Sequence, residues 1–236
     1  NIEQFGGNPH QVTLLGQSSG GTDILALLAC AGNTGLFHAA VSLSASANIS
    51  MDLPTKEAWD EKMVLANTPC THHEDVAACL RHMGTAELWK AMPSSYGLFD
   101  TFYDYPNITA PSGMATRIQP LVFVDGVTIT HQIEDALRLG LVDVPVIVQS
   151  LQGELDFRPA ADLVNLTMAG LHTFLHQQFS KPLGAEATAR IEELYFEYTR
   201  PHPVYATYAL DSDACMACGN RRLVQAAKEG FKSPVY

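Results

Sequence analysis

The sequence predicts an α/β fold built around a parallel sheet, and three observations carry that reading. Val12-Thr13-Leu14-Leu15 is a short apolar run of strand length. A mostly apolar segment of helical length follows it, after the turn Gly16-Gln17-Ser18-Ser19-Gly20. A second strand-like run, His38-Ala39-Ala40-Val41-Ser42-Leu43-Ser44, then completes strand, helix and strand within about thirty residues, a span that suits parallel strands joined by a crossover helix.

The bulk properties agree with a folded enzyme-sized domain. The 236 residues are 47% hydrophobic and 17% charged, enough for a sizeable core and too little charge for a disordered chain. A formal net charge of −11 without a run of Lys or Arg argues against nucleic acid as a partner. No apolar run reaches the roughly 18 residues that span a membrane. The start, Asn1-Ile2-Glu3-Gln4-Phe5, shows neither an initiator Met nor a signal peptide, so the chain is expected to be internal to a longer one or processed. The five cysteines, Cys30, Cys70, Cys79, Cys215 and Cys218, leave an odd thiol or a partner elsewhere. Three N-x-S/T triplets, at Asn48, Asn107 and Asn165, are glycosylation candidates.

The elements follow in order. Residues 1–10 read as loop. After the Val12–Leu15 strand a helix is expected from Gly21, with Thr22 or Asp23 capping or charge-stabilising its first turn. Ile24, Leu25, Leu27, Leu28 and Ala31 cover more than one face, which predicts burial against the sheet, and Gly32-Asn33 ends the helix. Pro54–Asn67 reads as helix with Ala58, Val64 and Ala66 among its apolar anchors, and the pattern resumes over 74–80 and 85–92. Residues 93–118 are loop-like, with Phe99, Phe102, Tyr103 and Tyr105 either walling a pocket or filling core. Leu121–Val124 is extended; Thr130 can cap a helix carrying Ile133, Ala136 and Leu137 on one face, stopped by Gly140. Val144–Val148 is a strand with Pro145 near its start, where a missing N–H is tolerated. Helical patterns return at 160–179, 185–199 and 221–229.

Gly16-Gln17-Ser18-Ser19-Gly20 between a strand and a helix has the form of a nucleophile elbow, a sharp turn that lifts a serine hydroxyl to the top of a sheet. With no Cβ at Gly16 or Gly20, the helix can start close against the strand. Such a serine needs a base, and the base needs an orienting carboxylate, in the chain order nucleophile, acid, histidine. Glu154 and Asp156 both follow the Val146–Val148 strand and both qualify as the acid. His172, His176 and His202 come later, but the first two share a helical face and the third sits in Pro-His-Pro, so none stands out as the base. The backbone N–H of Ser19 can supply one oxyanion donor. The glycine-rich loop that normally supplies the others is not in this sequence, since Gly6-Gly7 lies at the wrong end of the strand. Cys215-x-x-Cys218 lacks the second cysteine pair of a structural zinc site, so no metal and no cofactor are expected.

Phe5-Gly6-Gly7-Asn8-Pro9, Val12-Thr13-Leu14 and Gly16-Gln17-Ser18-Ser19-Gly20-Gly21 together resemble the signature of the type B carboxylesterase family, which includes cholinesterases and some fungal lipases. The likeness continues through Gly35-Leu36-Phe37-His38-Ala39-Ala40-Val41, Val124-Asp125-Gly126, Gly140 and Val144-Pro145-Val146. It implies an α/β-hydrolase fold, with residues 1–236 as the middle portion of the central sheet and its flanking helices. Ser18 then takes the place of the nucleophile and Glu154, counted from Val144-Pro145, that of the acid. Ser44 matches a serine near the triad. Cys70 and Cys79 match a short disulfide loop, and Cys218, with Asp213 and Asn220-Arg221, matches a helix whose cysteine pairs farther downstream.

Departures from the family pattern are informative. Asn8 stands for the usual Asp, Gln17-Ser18-Ser19 for Glu-Ser-Ala, and Leu155 for a Gly after the acid. Gln17 keeps hydrogen-bonding shape beside the nucleophile without the charge, which implies a neutral ester rather than a choline ester. The resemblance places the oxyanion loop before Asn1 and the catalytic histidine after Tyr236, so residues 1–236 alone are expected to be inactive and poorly folded. It implies hydrolysis of carboxylic esters through an acyl-enzyme, with a small neutral ester as the partner, in a secreted, disulfide-bonded glycoprotein. The alternative is a cholinesterase-like adhesion module that binds and does not catalyse.

Overall fold

The computed structural model describes residues 1–46, 50–92, 122–154 and 165–236. Asn48, Asn107, Asp156 and the aromatic stretch 99–105 lie outside these residues. Strand β1 (Thr13–Gln17) runs into helix α1 (Ser19–Leu28), and strand β2 (Ala39–Leu43) follows. A short strand β3 (Ser50–Asp52) leads into α2 (Leu53–Met63), then α3 (Val76–His82) and α4 (Thr85–Ala91). Strand β4 (Val122–Val124), α5 (Ile133–Leu139) and β5 (Val146–Gln149) come next. The remainder is helical: α6 (Met168–Leu183), α7 (Ala185–Tyr195), α8 (Val204–Ser212) and α9 (Cys218–Gly230), with a π-helical turn at Asp213–Ala217 between the last two.

The main sheet is parallel, in the order β1-β2-β5. Its register aligns Leu15 with Val41 and Ile147, and Gln17 with Leu43 and Gln149. The chain's last residues extend it: Val146 N–H donates to Pro234 C=O and Tyr236 N–H to Val146 C=O, both at 3.0 Å. A separate parallel pair joins β3 to β4. The predicted α/β class and its strand–helix–strand unit are present as expected. Pro145 sits just ahead of β5, where its missing donor costs nothing.

One face of the sheet carries the main core. Ile24, Leu25 and Leu28 of α1, Ile133, Ala136 and Leu137 of α5, and Leu223, Ala226 and Ala227 of α9 are buried together with Ala40 and Val146. Arg138 ties α5 to α9, pairing with Glu134 and Glu229 at 2.9 Å each. On the other face, Leu15 is 71% exposed and Ile147 45% exposed. A second cluster packs Leu171, Leu175 and Phe179 of α6 against Ala206 and Leu210 of α8, with Ile191 and Tyr195 alongside. Cys70 and Cys79 form the expected disulfide, with their Cα atoms 5.7 Å apart.

Several local expectations are corrected. Helix α1 starts at Ser19, not Gly21; Thr22 is buried inside it and Asp23 lies past its first turn, so neither caps it. Leu27 is 38% exposed and Ala31 is exposed, because α1 rests on the sheet by one side only. Ala58 and Ala66 are exposed, whereas Lys56 is buried beside Asp60 with its ammonium 5.8 Å from the Phe123 ring centre. Gln132, not Thr130, precedes α5, and the Thr130 hydroxyl meets His131 Nδ1 instead. Gly140 does end α5, in a left-handed conformation at φ 65°. Helix α8 has no counterpart among the helical patterns of the sequence.

Candidate active site

The turn between β1 and α1 holds Ser18 at φ 59°, ψ −122°. A residue with a side chain adopts positive φ at a cost of order 1–3 kcal/mol, and such strain persists only where neighbours fix it. Two backbone bonds fix it here. Ser18 N–H donates to Leu43 C=O at 2.9 Å, and Ser18 C=O accepts from Thr22 N–H at 3.0 Å. The residue is exposed at the carboxyl end of β1, the end at which open parallel sheets carry their ligands.

Glycine makes this turn possible, though not at both predicted positions. A Cβ on Gly16 would overlap the Gly20 carbonyl, so strand and helix approach each other only without one. A Cβ on Gly20 would meet nothing within 4 Å. The second close approach belongs to Gly21, whose Cβ would stand 2.7 Å from Leu43 O. Side chains then lock α1 to β2: Ser42 Oγ donates to Gly21 C=O at 2.9 Å, and Ser46 N–H donates to Thr22 Oγ1 at 3.1 Å.

The sheet register sets three serines in one row. Gln17, Leu43 and Gln149 are aligned across the strands, and Ser18, Ser44 and Ser150 each come next. Neighbouring strands lie about 4.8 Å apart, so Ser44 stands between the other two. Ser44 is buried at φ 50°, with its N–H donating to Gln149 C=O at 2.8 Å. Asn220 of α9, 3% exposed, joins the segments that follow β2 and β5. Its Nδ2 donates to Ala45 C=O at 2.8 Å and to Ser150 Oγ at 2.9 Å. No short sequence motif marks Asn220. The available signal was its place on the buried face of α9 with Leu223, Ala226 and Ala227, where a polar side chain needs a partner.

Glu154 closes the loop after β5. It is half-buried, and its Oε1 accepts the Leu151 N–H at 2.6 Å. Ser18 and Glu154 thus follow β1 and β5 at the same end of the sheet. Ser19 is the first residue of α1, so its N–H has no partner within the helix and lies at the positive end of the helix dipole. Gln17 is exposed beside Ser18.

Among the described residues no histidine is hydrogen-bonded to Ser18 or Glu154. His172 and His176 converge on Glu192 of α7. His202 Nδ1 accepts the Val204 N–H at 3.2 Å, ahead of α8. Cys218 is free; burial and then the nearby Asp213 carboxylate push its thiol pKa up. Asn165 is exposed.

A family model described as the carboxylesterase family matches residues 1–236. Neurotactin of Drosophila melanogaster is 28% identical over 148 residues, which is 63% of this chain and 17% of neurotactin. Lipase 5 of Diutina rugosa is 27% identical over 199 residues, 80% of this chain and 34% of the lipase. The crystal structure of Aspergillus niger EstA superposes with a TM-score of 0.61 at 20% identity, over 96% of this chain and 42% of EstA, a likeness of fold. The chain spans about a third or less of the length of these two curated relatives.

Proposed function

We propose that this chain, which belongs to the carboxylesterase family, carries the nucleophile and the acid of a serine esterase. The observation that carries the reading is the strained, exposed Ser18 at the carboxyl end of β1. Ser18 Oγ attacks the ester carbon, and the alcohol leaves to give an acyl-enzyme, which water then hydrolyses. Ser19 N–H faces the developing oxyanion; a single donor of this kind is worth about 3 kcal/mol in the transition state. Glu154 orients the imidazole that takes the Ser18 proton and returns it to the alcohol. That imidazole and the remaining oxyanion donors are to be sought outside residues 1–236, in keeping with the share of Lipase 5 that the chain spans.

Gln17 supports a neutral ester as substrate, because it puts no charge beside the nucleophile. The Cys70–Cys79 disulfide and the exposed Asn165 in an N-x-T triplet support an extracellular setting. The test uses the protein that contains this chain. A neutral p-nitrophenyl ester should be hydrolysed, Ser18→Ala should abolish the rate, and an organophosphonate should label Ser18. A protein that binds no such label while correctly folded would instead be a binding module. A strong preference for a quaternary choline ester over a neutral ester would overturn the assignment of Gln17.

A further inference from the structure

We propose that His172, His176 and Glu192 form a binding site for a divalent transition-metal ion, zinc fitting its chemistry best. His172 and His176 are four residues apart in α6 and therefore lie one turn apart on one face. Glu192 comes from α7. Its Oε2 stands 2.9 Å from His172 Nδ1 and 3.7 Å from His176 Nε2. One ligand atom from each of the three residues lies within 4.8 Å of the other two. Metal–ligand bonds of about 2.1 Å around a tetrahedral ion separate the ligand atoms by roughly 3.4 Å. The separations of 2.9 Å and 3.7 Å from Glu192 Oε2 fall on either side of that spacing.

The surroundings favour coordination over a bare surface ion pair. Ser180 Oγ lies 3.1 Å from His176 Nδ1. With His176 Nδ1–H donating to Ser180 Oγ, the Nε2 lone pair faces Glu192, which is the outer support that metal-bound imidazoles usually have. The two rings stand 4.2 Å apart, centre to centre, and converge on one carboxylate. Two imidazoles and one carboxylate suit zinc, nickel or copper, whereas calcium and magnesium prefer all-oxygen sets. His172 is exposed, and His176 and Glu192 are half-buried, so an ion can enter and a fourth position stays open to water. A bound ion would pin α6 to α7 above the cluster of Leu171, Leu175 and Phe179. The site is independent of the esterase reading, because none of its residues belongs to the Ser18 machinery.

The test is calorimetric titration of ZnCl2 into the chelator-treated protein, paired with thermal melts. One zinc per chain should bind. His176→Asn, Glu192→Gln and Ser180→Ala should each weaken binding by about tenfold or more. The double variant His172→Asn/His176→Asn should lose the site and the zinc-induced rise in melting temperature, while its metal-free melt stays near the wild type's. No stoichiometric binding to the wild type would overturn the proposal. So would zinc binding of unchanged affinity in the double variant, or calcium binding as tightly as zinc.

Discussion

The side-chain amide of Asn220 donates a hydrogen bond to the hydroxyl of Ser150 at 2.9 Å, although the two lie 70 residues apart. The same nitrogen holds Ala45 C=O, so one amide spans the loops after β2 and β5. Ser150 begins the loop that bears Glu154, and Ala45 follows the strained Ser44. Asn220 is buried, and truncating it strands the Ala45 carbonyl without its donor. Leaving one buried polar group unpaired costs about 1–3 kcal/mol. Asn220→Ala should therefore lower unfolding free energy by about that amount, measured by urea denaturation. It should also lower kcat for the proposed esterase more than it raises KM, since the loosened loop carries Glu154, the proposed acid. An unchanged stability would show that the amide is dispensable.

Ser18 is held at positive φ, a strained conformation for a residue with a side chain. Glycine relaxes at positive φ, whereas alanine does not. Ser18→Gly should thus be more stable than Ser18→Ala by about 1 kcal/mol, and both should lose acylation by an organophosphonate. A Gly variant no more stable than the Ala variant would mean that the turn carries no strain.

What was legible in the sequence was local. The elbow, Gly140 and Pro145 are read from a few neighbouring residues, because a turn or strand start needs particular residue types. What failed was set by tertiary contacts. Thr22 and Thr130 are good caps by type, but Thr22 is drawn into the interface with the segment after β2. Helix α8 carries Val204, Tyr205, Thr207 and Tyr208, which favour strands; it is helical because Ala206 and Leu210 pack against α6. In the candidate site, Ser18 and Ser19 are proposed from spacing alone, and the choice of Glu154 over Asp156 rests on the family resemblance. Asn220 and the His172–His176–Glu192 group depend on which helices meet, and no short-range pattern encodes that.

The Cys70–Cys79 disulfide closes a short loop, with a sequence separation of nine between its ends. Chain-entropy arguments give about 2–3 kcal/mol for a loop of this size, through loss of freedom in the unfolded chain. The double variant Cys70→Ala/Cys79→Ala should show that deficit in denaturant unfolding. Adding a reductant should destabilise the wild type and leave the double variant unmoved. Equal sensitivity of both would place the redox effect elsewhere.

Asp125 gives the protein an acid limb. Its Oδ1 accepts the N–H groups of Val127, Thr128 and Ile129 at 2.8–2.9 Å. The bonds from Val127 and Ile129 lead, Thr128 adds to them, and together they hold the carboxyl below its ordinary pKa. Asp52, through Thr55, is lowered in the same sense. In the unfolded chain these bonds are gone, so the unfolded state takes up protons first as pH falls. The stabilisation is fully present above the unfolded pKa of about 4 and is lost as pH drops through the lower folded value. Asp125→Asn keeps an acceptor for the three N–H groups but cannot titrate. The stability advantage of the wild type over Asp125→Asn, followed by urea unfolding between pH 7 and pH 3, should stay constant down to about pH 4 and shrink below it. An advantage that persists undiminished at the acid end would rule out Asp125 as a source of that limb.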